Sequence, residues 1–363
     1  MQCKAKPKRI VLLERIRNFY FGKPVENFES ASVRERPVGK RSDRKLNLCL
    51  PVAKRELAWA MRKIWPGALL ALGFIGSARS LLGQTSKPPG SNDSPTLVLH
   101  EHRQSPLDLE IAGERAGLAD GTVRYLSRAA LLKFPQMSYT VSDDANFKKT
   151  VLISGVLLED VSKALEGSHP ASMVVAICSD QYHAHYSEEY LRTHHPVLVL
   201  KIDGQGPAHW PKDSEGHNAY IGPYLISHAK FTPSFKILAH EDEPQIPWGV
   251  VRLEFRDARK AFSAIAPRGP HAGDPDVQAG FRIAQQNCFR CHNLGDEGGT
   301  KSGRPWPVLA LWAASIPEQF ASYVRNPSAA NPKSQMTASP QYDDETMRAL
   351  ISYFKTFAQE KKP

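Results

Sequence analysis

The chain has 363 residues, 41% of them hydrophobic and 23% charged, which is long enough for two domains that each bury a core. Its formal net charge of +10 is concentrated in residues 1–60, which hold 15 Lys+Arg against 6 Asp+Glu and leave 32 against 31 for the remainder. A body so evenly charged argues against a polyanion such as nucleic acid as a partner.

Residues 1–60 are basic, aperiodic and broken by proline, as in Arg34-Glu35-Arg36-Pro37. Met61-Arg62-Lys63 then precedes the apolar stretch Ile64 to Ile75 and the small residues around Gly76-Ser77-Ala78. This order of charge, apolar run and small residues is the anatomy of a secretory signal peptide over 61–83, and the run is short for a membrane span. Met61 is therefore the expected start, with 1–60 an over-extended or disordered leader. The mature protein is expected in the periplasm or secreted, with no stable transmembrane anchor after cleavage. A genuine basic tail ahead of an uncleaved anchor is the alternative. Cys3 and Cys49 precede Met61, so a mature chain keeps Cys178 and one further pair, and no intramolecular structural disulfide. Residues 84–94, with Pro88-Pro89-Gly90, read as a linker.

Residues 95–258 read as one strand-rich domain. Leu97 to Leu99, Ser138 to Val141, Val151 to Ile153, Val174 to Ile177, Val197 to Ile202 and Val250 to Phe255 are apolar or alternating runs separated by turn residues. Short helices are expected over Ser127 to Phe134, with Ser127 as N-cap, and over Leu158 to Leu165. Strands with scattered helices predict an α+β fold. His183-Ala184-His185 on a strand would place both imidazoles on one face, and His194, His195, His209 and His217 follow. No carboxylate or thiol stands at a recognised ligand spacing to them, so ordinary polar or buried histidines are expected rather than a metal site. Cys178 ends an apolar run, where a free thiol acts as a small hydrophobe. Asp180 with Tyr182 fits a capped turn as well as a substrate-orienting pair.

After a linker at 259–273, residues 274–361 form a helical domain. Asp274-Pro275 supplies an N-cap and a proline at the first helical position, and Val277, Gly280, Phe281 and Ala284 give that helix one apolar side. It runs into Cys288-Phe289-Arg290-Cys291-His292, the Cys-x-x-Cys-His pattern of c-type haem attachment. Two thiols must reach the two vinyl groups on one porphyrin edge, and the following imidazole becomes the proximal iron ligand. A redox dithiol or half a zinc site needs only the two cysteines; the adjoining histidine favours haem. No histidine follows His292, and two methionines do. Met347 belongs to the periodic run Met347, Leu350, Ile351, Phe354, the buried face of a terminal helix. Met336 follows the loop residues Asn331 to Gln335 and is the expected distal ligand.

These residues resemble a small class I cytochrome c domain. The resemblance implies that Gly280-Phe281 marks the close crossing of the first and last helices. It also implies that Pro307, in Trp306-Pro307-Val308-Leu309, supplies the carbonyl that holds the other nitrogen of His292, with Pro305 a nearby competitor. The family often has proline directly after its methionine ligand; here Thr337 follows.

The middle region resembles the molybdopterin-binding domain of sulfite-oxidase-type oxidoreductases. The matching segments are Ser154 to Val161, Cys178-Ser179-Asp180-Gln181-Tyr182, Val197 to Gly204 and Ile221-Gly222-Pro223-Tyr224-Leu225. That family binds molybdenum through a cysteine shortly before the first segment, whereas Thr140 to Thr150 contains none. Molybdopterin is therefore not expected, and the scaffold is expected without its oxo-transfer centre. The expectation as a whole is multidomain: a strand-rich α+β domain, then an all-α cytochrome c domain with one covalent haem c. It would exchange single electrons with a redox partner protein. The alternative is an oxidoreductase whose middle domain oxidises a small substrate and reduces its own haem.

Overall fold

The computed structural model describes residues 97–142, 144–165, 172–212, 219–229 and 243–358. The leader 1–60, the signal segment 61–83, the linker 84–94, Cys3, Cys49 and His217 lie outside the described residues.

Ten strands among the described residues build one sheet. They are β1 (Leu99–His100), β2 (Leu109–Ala112), β3 (Arg124–Leu126), β4 (Met137–Val141), β5 (Val151–Leu157), β6 (Met173–Cys178), β7 (His183–Ser187), β8 (Val197–Ile202), β9 (Tyr224–Ser227) and β10 (Trp248–Arg256). The main path runs β1-β3-β2-β10-β9-β8-β5-β4, while β6 pairs with β10 and β7. The hub is β10. Trp248 and Val250 pair with β9; from Val250 onward it is antiparallel to β6, with an irregularity between Val250 and Arg252, and from Arg252 it lies parallel to β2. Strands β6 and β9 are buried along their whole length. Continuous apolar runs of this kind belong to strands covered on both faces.

Short helices cover the sheet. α1 (Arg128–Lys133) starts where Ser127 Oγ accepts the Ala130 N–H at 3.2 Å, and α2 (Leu158–Leu165) buries Leu158, Val161 and Leu165. α3 (Glu188–His194) is capped by Ser187. Strands β2, β3 and β9 exceed the sequence expectation. Their three or four residues carry too little alternation to announce a strand, and their pairing with long neighbours creates them.

The stretch expected as a linker, 259–273, begins inside a helix. α4 (Ala258–Ser263) is capped by Asp257, whose Oδ1 accepts the Lys260 N–H at 3.1 Å. Ala261 packs with Met173, Val175 and Ile177 of the sheet. Ile265, fully buried, belongs instead to the helical core, and its carbonyl accepts the Tyr353 hydroxyl at 2.6 Å. Apolar residues at 261, 262 and 265 bind this connection to both sides.

The C-terminal region is helical: α5 (Pro275–Asn287), α6 (Trp306–Ser315), α7 (Pro317–Arg325), α8 (Pro327–Ala330) and α9 (Asp344–Ala358). Pro275 holds the first position of α5; Asp274 flanks it without a capping bond from its side chain, which meets His271 Nδ1 at 2.9 Å. α5 and α9 cross closely at Gly280, where a Cβ would fall on the Ala349 carbonyl. Met347, Leu350 and Phe354 are buried in this core, and Phe281 stacks on Tyr353 with ring centroids 5.6 Å apart.

Candidate metal centre

The Cys-x-x-Cys-His segment is a turn at the end of α5. Cys288 caps the helix by donating to the Ala284 carbonyl, and its own carbonyl accepts the N–H groups of Cys291 at 3.1 Å and His292 at 3.0 Å. Five residues thus curl tightly enough to present both thiols and the imidazole from one turn. The two thiols are half-buried and not joined to each other. Burial pushes the Cys288 thiol up to about 12 and raises that of Cys291, in both cases against the nearby Arg290 charge. That direction runs against the lowered thiol pKa on which a redox dithiol depends.

His292 is buried, and its Nδ1 lies 2.6 Å from the Arg304 carbonyl. A carbonyl only accepts, so Nδ1 carries the proton and Nε2 keeps the lone pair. Burial lowers the imidazole pKa, while the Arg304 bond pulls the other way, and the neutral ring persists at neutral pH. A neutral, oriented imidazole beside two unpaired thiols is the donor set that a covalently attached haem requires, and these residues fit that group.

The partner of His292 corrects the expectation for Pro307. That proline is exposed at the second position of α6, where its carbonyl enters the helix. Arg304 precedes Pro305, and a residue before proline is held extended, outside the helix. Pro305 was the useful signal, one residue past the acceptor. Arg304 is itself anchored, with its guanidinium 5.0 Å from the Tyr323 ring centre and 5.8 Å from that of Trp312.

Met336 lies in the loop between α8 and α9 and is 36% exposed. Its N–H donates to Ser334 Oγ at 3.3 Å, and Ser334 Oγ meets the Tyr323 hydroxyl at 3.1 Å. The chain of contacts Ser334, Tyr323, Arg304 ties the methionine loop to the segment that orients His292.

The sheet touches this turn directly, through residues that the sequence did not single out as a group. The Arg290 carbonyl accepts the His183 N–H at 2.9 Å, and Arg290 Nη1 donates to the Tyr182 hydroxyl at 2.9 Å. Lys301 pairs with Asp180 at 2.7 Å, and Arg256 holds Glu297 through two bonds of 2.6 and 2.7 Å. Phe289 is fully buried, stacked on His185 at 5.0 Å and packed against Phe262 at 6.0 Å. Gly299 threads between the two regions, where a Cβ would collide with the Arg290 carbonyl. Buried Gln245 clamps β7: its Oε1 accepts the His185 N–H at 2.7 Å, and its Nε2 donates to the His185 carbonyl and to Gln286 Oε1 on α5.

His183 and His185 share one face of β7 and line a cleft of about 230 Å³ with Glu110, Arg252, Glu254 and Arg256. His194 is half-buried, while His195 and His209 are exposed. Among the described residues, no group of three or more His, Cys, Asp or Glu side chains is arranged to hold a metal ion. Cys178 is buried at the end of β6, and burial raises its pKa well above the usual thiol value. No helix among the described residues is long and apolar enough to cross a membrane.

Residues 275–354 match the family model of cytochrome c oxidase, cbb3-type, subunit III. Among solved structures, the chain is similar to the sulfane dehydrogenase SoxCD from Paracoccus pantotrophus, at 13% identity and a TM-score of 0.29. That likeness covers 47% of this chain and 45% of the other, so the chain spans less than half the length of that relative. No curated protein matches the chain. A strand-rich sheet region is therefore followed by a helical region that carries a cytochrome c domain.

Proposed function

We propose that the protein is an exported carrier of single electrons that holds one haem c, with Cys288 and Cys291 binding the porphyrin and His292 and Met336 the iron. The observation that carries the reading is His292 itself: buried, neutral and fixed through Nδ1 to Arg304, one residue beyond a pair of unbonded thiols. When bound, the haem supplies a one-electron couple between ferric and ferrous iron. The protein's residues do the rest. Arg304 fixes which imidazole nitrogen is available, and Ser334 with Tyr323 joins the methionine loop to Arg304. A thioether is a soft neutral donor, which suits electron exchange with a redox partner protein over oxygen activation.

Intact-mass measurement of the exported chain, with a pyridine-haemochrome spectrum, tests the reading. One added tetrapyrrole is expected, and none would end it. Met336→Ala is expected to abolish the long-wavelength sulfur-to-iron absorption band; a band that survives removes Met336 from the iron. The absence of a cysteine over residues 140–150 supports a sheet domain without molybdopterin.

The cleft beside the turn supports a second reading, an oxidoreductase whose sheet domain oxidises a small substrate. Stoichiometric molybdenum in the purified protein would favour it, and iron alone favours the carrier.

A further inference from the structure

Arg290 stands between the two cysteines that would carry the porphyrin, and its guanidinium is held both from its own turn and from across the domain boundary. Its Nε donates to the Asn287 carbonyl at 3.1 Å, and Nη2 to Asn287 Oδ1. From the sheet side, the Tyr182 hydroxyl takes Nη1 at 2.9 Å and the Glu243 carboxylate stands 3.9 Å from Nη2. Both charged side chains are mostly buried, 18% and 19% exposed, so water screens them weakly. Glu243 is built into the boundary rather than hanging over it. Its carbonyl accepts Gln286 Nε2 at 2.6 Å, and its Oε1 lies 3.4 Å from Gln341 Nε2.

The pairing is loose. Arg290 Nη2 and the Glu243 carboxylate stand 3.9 Å apart, at the outer limit of an ion pair, where Lys301 and Asp180 meet at 2.7 Å.

We propose that the two charges of this boundary pair, Arg290 on the attachment turn and Glu243 from the sheet side, shift the reduction potential of the haem held at Cys288 and Cys291 in opposite directions. The inference rests on the haem reading above. Oxidation to ferric iron adds one positive charge at the centre. A fixed cation beside the ring opposes that charge and raises the potential, and a fixed carboxylate favours it and lowers the potential. The sheet domain then acts on the haem as a tuning element, with Tyr182 positioning Arg290.

The test is potentiometric titration of the full-length, haem-loaded protein. Arg290→Gln is expected to lower the midpoint and Glu243→Gln to raise it. Each should change the ferric-to-ferrous ratio at fixed potential by up to about tenfold, which is about 59 mV for one electron. Arg290→Lys, which keeps the charge, and the double Arg290→Gln/Glu243→Gln variant should both stay near the wild type. A merely structural role would move both single variants in one direction, because a loosened turn admits water whichever partner is removed. Shifts of the same sign, or none in either variant, overturn the proposal while haem-loaded protein leaves the carrier reading intact. Wild-type protein without haem sinks both. If Arg290→Gln does not accumulate, Glu243→Gln and Arg290→Lys decide: a rise in the first with an unmoved second supports the pair, and any other outcome refutes it.

Discussion

The Cys288–His292 turn and the β6–β7 hairpin face each other, and both bury imidazoles, yet only the first has the donor set proposed to hold a haem. His292 has Nδ1 bonded to a carbonyl and two thiols within four residues. His183 and His185 lie on β7, one half-buried and one buried, with pKa values lowered to about 4 and about 3 by burial, then by Arg256 and Arg252 at His183 and by His183 and Arg256 at His185. Burial alone therefore makes a neutral imidazole. A ligand needs in addition a second nitrogen that is tied down and other donors arriving from the same turn.

The sharpest way to break this contrast is to remove each imidazole. His292→Ala should cut haem absorbance per protein by more than about tenfold, whereas His185→Ala should leave it within about twofold. Equal losses would erase the distinction. Phe289 joins the two regions, and Phe289→Ala should cost about 3–5 kcal/mol in urea unfolding of the whole chain. Inside the helical region, Gly280→Ala should cost about 3 kcal/mol, because the new methyl meets the Ala349 backbone and the two helices must part.

A milder test uses pH. Both β7 imidazoles titrate well below an unfolded histidine, so the unfolded chain binds more protons between about pH 6.5 and pH 4. Stability is full above that window and falls as pH drops through it, by up to about 5 kcal/mol between pH 7 and 4.5 in urea titrations, about half from each imidazole. His185→Leu should flatten the dependence. At the small end, Arg348 and Asp276 bridge α9 and α5 at 3.1 Å with both side chains about half exposed. Arg348→Ala should change stability by less than about 0.5 kcal/mol, measured the same way.

The helical region was the more legible of the two. Its features are local: a proline at a helix start, a glycine at a crossing, a periodic run over 347–354 and five consecutive residues that define the turn. Long strands such as β8 were equally plain, since a run of β-branched and aliphatic residues announces itself. Short strands were hidden because partners distant in sequence create them, as with β2 beside β10. The Arg304 acceptor lies three residues before the expected Pro307 and one before its competitor Pro305, since a backbone carbonyl leaves no trace in residue identity. The boundary contacts of Arg290, Tyr182, Glu243 and Gln245 were illegible for another reason. Each is an ordinary polar residue whose meaning arises only when segments about 40 to 110 positions apart come together.

Phe289 gives the fold a property that a string of two modules would not have. Its ring belongs to the helical core and also rests on a sheet imidazole. Severing the chain in the 259–273 connection would uncover an aromatic surface on one fragment and take from Gln245, on the other, its Gln286 partner. The halves are thus poor candidates for exchange with unrelated neighbours, and an engineer seeking a detachable cytochrome would have to redesign this seam before making the cut.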